Sequence, residues 1–237
     1  MNGEQALSGA RRPPWAVVCD FDGTIALEDV TDTLLLRFAR PGWRELEIAW
    51  EAGRITARTC MAGQVALLDC SREELEAHVG DIAIDPAFTA FVAAVHAEGG
   101  TLTIASDGLD TVVAAMLARA AVRELDVRAS RLVQLGPREW GLSFPHARAG
   151  CTSGAATCKC ACLRDVGDRP TLLVGDGASD FCAAARAELT FAKSSLREHC
   201  AERGLPHRPI VDFADATLAW RELADGTAFA APREEAA

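Results

Sequence analysis

The 237-residue sequence predicts an α/β protein: a doubly wound, Rossmann-like parallel sheet with a helical cap inserted after its first strand. Three observations carry this. Short apolar runs alternate with amphipathic helical stretches, the pattern of βαβ units. The first run, Ala16-Val17-Val18-Cys19, ends abruptly in Asp20-Phe21-Asp22-Gly23-Thr24. It reads as a buried strand that delivers two carboxylates at its carboxyl end, the edge where open α/β sheets bind ligands. From Thr24 to about Asp85 there is no strand signal, only short helices.

Those helices are read at Asp29–Arg40, Trp43–Ala52, Thr56–Leu68 and Ser71–Val79. Pro41-Gly42 and Gly53 interrupt them, and Ser71-Arg72-Glu73-Glu74 is a capping box. A helix over Ala87–Glu98 stops at Gly99-Gly100. The strand Thr101–Ala105 runs into Ser106-Asp107-Gly108, and a helix resumes from Leu109 to about Ala120. Val122 to Leu135 holds a third core strand and the start of a hairpin, which Trp140–Phe144 completes. The loop Pro145–Thr157 leads into a helix carrying Lys159. The strand Thr171–Gly175 ends in Asp176-Gly177-Ala178-Ser179-Asp180, and Leu189–Ala192 is the fifth strand. Helices at Ser194–Arg203 and Asp215–Ala224 close the fold. The expected division is a disordered lead-in at 1–14, a core of 15–27 with 86–226, a cap at 28–85 and a disordered tail at 227–237.

Composition bounds the function. Apolar residues make up 49%, enough for a real core, and the formal charge is −10. An acidic balance disfavours nucleic acid as a partner, since phosphate backbones select basic faces. It leaves room for a small phosphorylated substrate, because a bound cation reverses the sign locally. No apolar run reaches membrane-spanning length, and Met1–Pro14 lacks the apolar core of a signal peptide. A cytoplasmic protein with no membrane partner is the expectation. Nine cysteines are an odd count, four of them within Cys151–Cys162, which argues against a general disulfide framework.

Four polar stations now lie in order along the chain: Asp20 and Asp22, Ser106, Lys159, then Asp176 and Asp180. Their order and spacing resemble the haloacid dehalogenase superfamily of phosphohydrolases, over about Val17 to Ala192. The matching signatures are Asp20-Phe21-Asp22-Gly23-Thr24 for Asp-x-Asp-x-Thr, and Gly175-Asp176-Gly177-Ala178-Ser179-Asp180 for Gly-Asp-x-x-x-Asp. The resemblance implies a nucleophilic Asp20 that forms an aspartyl-phosphate. It implies an Asp22 that protonates the leaving alkoxide and then activates water. It implies Mg²⁺ held by Asp20 and Asp176 and the backbone carbonyl of Asp22, with Asp180 orienting that shell or joining it. Ser106 and Lys159 would hold the phosphoryl oxygens, and backbone amides near Asp107 and Gly108 suit an anion.

Family dehalogenases lack the second aspartate, so Asp22 points to phosphoryl transfer. Phosphonatases need a cap lysine, and residues 28–85 contain none. The cap resembles that of phosphoserine phosphatase and its relatives, which makes Glu28 and Arg58 candidates for substrate contact, with Arg54 competing. The run Cys151 to Cys160, which places Cys158 before Lys159, is similar to the 2-hydroxy-3-keto-5-methylthiopentenyl-1-phosphate phosphatases and to the phosphoethanolamine/phosphocholine phosphatase group.

The expected activity is a Mg²⁺-dependent phosphomonoesterase acting on a small metabolite. A phosphotransferase or mutase of the same fold stays open, as does a non-catalytic phosphometabolite-binding protein and a homodimer. The cysteines of the 151–162 run leave three readings: zinc ligation, a Cys151–Cys158 disulfide, or packing. Trp43 and Trp50, two helical turns apart, read as core rather than as substrate contacts.

Overall fold

The computed structural model describes residues 14–151 and 153–225. The expected tail and, Pro14 apart, the expected lead-in lie outside these described residues. A seven-stranded sheet organises the chain. Its strands are β1 (Ala16–Cys19), β2 (Thr101–Leu109), β3 (Asp126–Gly136), β4 (Glu139–Ser143), β5 (Thr171–Gly175), β6 (Leu189–Ala192) and β7 (His207–Pro209). Their spatial order is β4-β3-β2-β1-β5-β6-β7, parallel throughout except for the β3–β4 hairpin. The strand that carries the two aspartates therefore sits in the middle. β1 and β5 are buried along their whole length, which is why their sequences are unbroken apolar runs rather than alternating ones.

Register sets the height of the site. Cys19 lies level with Ile104 of β2 and with Val174 of β5. One step further, Asp20, Ala105 and Gly175 emerge together, and the Asp20 amide still donates to the Val174 carbonyl at 2.9 Å. β1 is flanked by strands reached by connections on opposite sides, the switch point that opens a crevice in such sheets.

Helices cover the sheet. Between β1 and β2 come α1 (Val30–Phe38), α2 (Trp43–Glu51), α3 (Ala57–Ala66), α4 (Arg72–Gly80) and α5 (Phe88–Ala97). Then follow α6 (Asp110–Arg119), α7 (Lys159–Arg164), α8 (Phe181–Ala184), α9 (Ser194–Glu202) and α10 (Phe213–Ala224). The N-caps act as the sequence suggests: Asp29 accepts from the Asp32 amide, Thr56 from Thr59, and Ser71 with Glu74 completes the capping box. Asp85, 4% exposed, joins two elements distant in sequence. Its carboxylate accepts from the amide of Ala87, just ahead of α5, at 2.8 Å and from Phe213, which opens α10, at 2.9 Å. Phe88, Phe91, Phe213 and Trp220 interlock where α5 meets α10, with centroids 4.9 to 6.3 Å apart.

Helices α1–α4 form the cap. An isolated bridge between Ala26 and Ile84 closes its neck. The cap does not stand free of the core: Leu34, Leu35, Val65, Leu75 and Val79 belong to the same apolar cluster as Val17, Ile104 and Val174. The β3–β4 hairpin props it. Trp140, 3% exposed, donates its indole N–H to the Cys70 carbonyl at 2.9 Å. Arg138 pairs with Asp69 at 2.6 Å and with Glu74 at 2.8 Å.

Three features depart from the sequence expectation. β2 continues past Ala105 to Leu109, so Ser106, Asp107 and Gly108 sit on the strand itself. β7 is an edge strand of His-Arg-Pro, with no apolar run to announce it. α8 is a single turn, Phe-Cys-Ala-Ala, directly after Asp180.

Candidate active site

Every strand end flagged in the sequence converges on one cleft. Asp20 is 6% exposed and Lys159 2% exposed, and the Lys159 Nζ lies 2.5 Å from Asp20 Oδ2. The same Nζ lies 2.6 Å from Asp180 Oδ1 and donates to Ser179 Oγ at 2.9 Å. Burial would lower the pKa of Lys159, but Asp180, Asp20 and Asp107 outweigh it and hold the ammonium charged. Lys159 opens α7, and the loop before it is fixed to the cleft by the Thr157 amide, which donates to Asp107 Oδ1 at 2.7 Å.

Asp22 turns the other way. Its Oδ1 accepts from the Val30 amide at 3.0 Å, tying it to the first turn of the cap, and its Oδ2 accepts from Ser106 Oγ at 3.2 Å. Desolvation, with the charge of Asp29 next, pushes the Asp22 carboxyl up to about 8. It therefore retains a proton near neutrality, the state a general acid requires. Two glycines make room here. A Cβ on Gly108 would lie 2.6 Å from Asp22 Oδ2, and one on Gly23 would lie 2.6 Å from Asp176 Oδ2. Gly23 also has φ +68°, where a side chain is strained in its own right.

Asp20, Asp176 and Asp180 each offer a carboxylate oxygen within 4.8 Å of the others. Desolvation and then the charge of Asp20 raise both Asp176 and Asp180, the latter to about 8. One lysine does not neutralise this group. An all-oxygen donor set of carboxylates, short of positive charge, fits a hard divalent cation such as Mg²⁺. The donors are not equivalent. Asp176 Oδ1 accepts from Thr24 Oγ1 at 2.9 Å, and its Oδ2 faces the space that Gly23 leaves open. Asp180 is already committed: Oδ1 to Lys159, and Oδ2 to the amides of Asp176 and Gly177 at 3.2 and 3.4 Å. Its geometry is that of a residue that shapes the β5 loop and anchors the lysine.

Asp20, Asp22 and Asp176 open into a cleft of about 280 Å³ between sheet and cap, while the buried Ser106, Lys159 and Asp180 sit behind its lining. The core contributes Asp20, Asp22, Asp107, Gly108 and Asp176, and the cap contributes Asp29, Asp32, Glu47, Trp50, Met61 and Gln64. Glu28 and Arg58 are not among the lining residues. Glu28 is exposed beside Asp29, and Arg58 is half-buried, one position past the Ala57, Cys60, Met61 and Gln64 face of α3. Trp50 corrects an expectation: it is 41% exposed and lines the cleft, while Trp43 alone packs against the core. Asp32 and Glu47 form an acidic wall that no motif in the sequence marks. The four cysteines of the 151–162 run form no metal-ligating group among the described residues, and all nine cysteines are thiols.

The haloacid dehalogenase-like hydrolase family model matches residues 17–185. The chain belongs to the haloacid dehalogenase-like hydrolase family. Within it this protein is a phosphatase, a phosphoric monoester hydrolase. It is 30% identical over 202 residues to a 2-hydroxy-3-keto-5-methylthiopentenyl-1-phosphate phosphatase of Bacillus velezensis, covering 83% of this chain and 86% of that one. A protein of the same name from Geobacillus kaustophilus is 31% identical over 217 residues, covering 86% and 94%. Among solved structures, a substrate-bound phosphoserine phosphatase superposes with a TM-score of 0.64 at 18% identity, covering 86% of this chain and 96% of that chain. A phospho-aspartyl intermediate analogue of phosphoserine phosphatase gives 0.61 at 20% identity, covering 79% and 91%. These likenesses fit the family's fold of sheet and helical cap.

Proposed function

We propose that this phosphatase is Mg²⁺-dependent and hydrolyses a small phosphorylated metabolite through an aspartyl-phosphate on Asp20. The observation that supports it most is the pairing of Asp20 with Lys159 beside Asp22, which is held separately by the Val30 amide and the Ser106 hydroxyl. Mg²⁺ would be held by Asp20, Asp176 and the Asp22 backbone carbonyl, with Asp180 orienting the shell. When bound it supplies the positive charge that lets a carboxylate approach a phosphoryl dianion.

The remaining chemistry belongs to the chain. Asp20 attacks phosphorus, the bond to the ester oxygen breaks, and Asp22 gives its proton to that oxygen. Lys159 and Ser106, whose hydroxyl the Gly108 amide holds in place at 2.9 Å, hold the phosphoryl oxygens as charge spreads over them. Asp22, now ionised, takes a proton from water; the water oxygen attacks phosphorus and frees Asp20. The cap excludes bulk water during the first step. A phosphotransferase would pass the group to an added alcohol instead of water.

The leaving group faces the cap. Trp50, Met61 and Cys60 give it an apolar, sulfur-bearing wall that suits a thioether chain. We therefore put the substrate named for the relatives, 2-hydroxy-3-keto-5-methylthiopentenyl-1-phosphate, first. A second reading rests on Asp32 and Glu47, which line the cleft with no basic residue beside them among the described residues. They favour an amine-bearing phosphomonoester and disfavour a carboxylate-bearing one such as phosphoserine. Glu28 and Arg58 keep, in this reading, only a role at the rim. A cytoplasmic enzyme with no nucleic-acid or membrane partner fits the acidic charge, and no helix among the described residues is long and apolar enough to cross a membrane.

The test is a phosphomonoester panel, with and without chelator. The enol phosphate, phosphoethanolamine, phosphocholine and phosphoserine are its discriminating members. Turnover that survives chelation overturns the metal assignment, and preference for phosphoserine overturns the account of the cap wall.

A further inference from the structure

A second cavity of about 280 Å³ lies alongside α7 and α8. Four thiols line it, those of Cys151, Cys158, Cys160 and Cys182, together with three guanidinium-bearing residues, Arg148, Arg164 and Arg186. The thiols do not gather as one metal site among the described residues; Cys151 interacts with Cys158, and Cys160 with Cys182. The Sγ atoms of Cys160 and Cys182 are 3.5 Å apart. Cys160 is 7% exposed, whereas Cys182 is half-buried and within reach of a small oxidant. Each neighbours a residue of the catalytic centre. Cys160 follows Lys159 directly, and Cys182 comes two residues after Asp180, the carboxylate that Lys159 holds at 2.6 Å.

We propose that Cys160 and Cys182 form a reversible oxidation site, a dithiol that peroxides convert to a disulfide and that thereby disables the lysine anchor. The thiol of Cys182 attacks the peroxide, whose O–O bond breaks; the sulfur is oxidised to a sulfenic acid and one water leaves. The thiol of Cys160 then attacks that sulfur, the S–O bond breaks, and a second water leaves. Two thiols are oxidised and one hydrogen peroxide is reduced to two waters. The guanidinium groups of Arg148, Arg164 and Arg186 draw anionic oxidants to the cavity. Bond formation brings the sulfurs about 1.5 Å closer than they stand here. α7 and α8 must shift to allow it, and Lys159 and Asp180 move with them. Displacement of a positioning group by about 1 Å costs on the order of 100-fold in rate. Transient, redox-sensing bonds are the kind that persist in reducing compartments.

The experiment exposes the full-length enzyme to stoichiometric hydrogen peroxide, then measures intact mass, cross-linked peptides and aryl phosphate hydrolysis before and after dithiothreitol. Expected are a loss of two mass units, a Cys160–Cys182 cross-link, a rate at least 10-fold lower and recovery on reduction. The C182A variant should keep its own untreated rate after peroxide, and C160A should do the same. A cross-link at Cys151–Cys158 alone, a disulfide with unchanged rate, or equal sensitivity of C182A and the parent each overturns the proposal. The mass and cross-link readouts hold whatever the metal or substrate, so a failure of the functional reading is separable from a failure here.

Discussion

Lys159 lies in contact with two buried carboxylates, those of Asp20 and Asp180, and its removal has a calculable cost. In Lys159→Met the side chain keeps its approximate length but loses its charge, leaving Asp20 and Asp180 facing each other with no counter-charge. Breaking a buried ion pair by deleting one partner costs about 3–5 kcal/mol, because the stranded charge remains in a poorly solvated site. For a chain of this size 1 kcal/mol shifts Tm by roughly 2–4 °C, so Tm should fall by about 6–20 °C. The measurement is thermal and urea unfolding in chelator above pH 8, where Asp180 is ionised and no divalent cation can substitute. The loss should grow with pH. Below the raised pKa of Asp180, about 8, that carboxyl can neutralise itself by taking a proton; above it the charge is forced. Adding Asp180→Asn to Lys159→Met should restore part of the loss, since an amide oxygen still accepts from the Asp176 and Gly177 amides. A Lys159→Met protein within about 1 kcal/mol of the parent, or a double mutant with purely additive losses, refutes the reasoning.

Asp22→Asn should lower kcat by about 10²–10⁴, most for substrates with poor leaving groups, and in the parent enzyme kcat should decline above about pH 8 as Asp22 loses its proton, read from a pH–rate profile. In chelator, stability should fall as pH rises from about 4 towards about 8, because folded Asp22 and Asp180 keep protons that the unfolded chain has released; the slope is at most about 1.4 kcal/mol per pH unit per group. Mg²⁺ should flatten that slope in the same melts, and a chelated protein that is instead stabilised by rising pH contradicts both pKa directions. Trp140→Phe leaves the Cys70 carbonyl without its donor beneath the cap, and should cost about 1–3 kcal/mol in urea unfolding.

The sheet and the catalytic centre were legible because burial and chemistry write strong local patterns. β1 and β5 are buried on both faces and read as unbroken apolar runs, and each ends in aspartates that no core would tolerate without a purpose. Helix starts were legible through Asp29, Thr56 and Ser71, whose side chains satisfy amides within their own turn. What escaped is what tertiary contact alone decides. β7 exists only because Thr190 and Ala192 of β6 offer it an edge. Trp50 looked like core because its two-turn spacing from Trp43 suggests one buried face, yet α2 has no fully buried residue and presents Trp50 to the cleft. Asp32 and Glu47 lie on separate helices, and no spacing rule connects them. Glu28 stands at the expected distance from the first motif, yet its neighbour Asp29 is the residue that lines the cavity.

The central claim is that Asp20 carries the phosphoryl group, and acid-quenched single turnover tests it directly. Enzyme in excess over substrate, with Mg²⁺, is stopped on the millisecond scale, digested and analysed by mass spectrometry. The account predicts a gain of one phosphoryl group on the peptide containing Asp20, increased in Asp22→Asn with an activated aryl phosphate and absent in Asp20→Asn. Phosphate release without any modified peptide, or turnover that persists in Asp20→Asn, contradicts it.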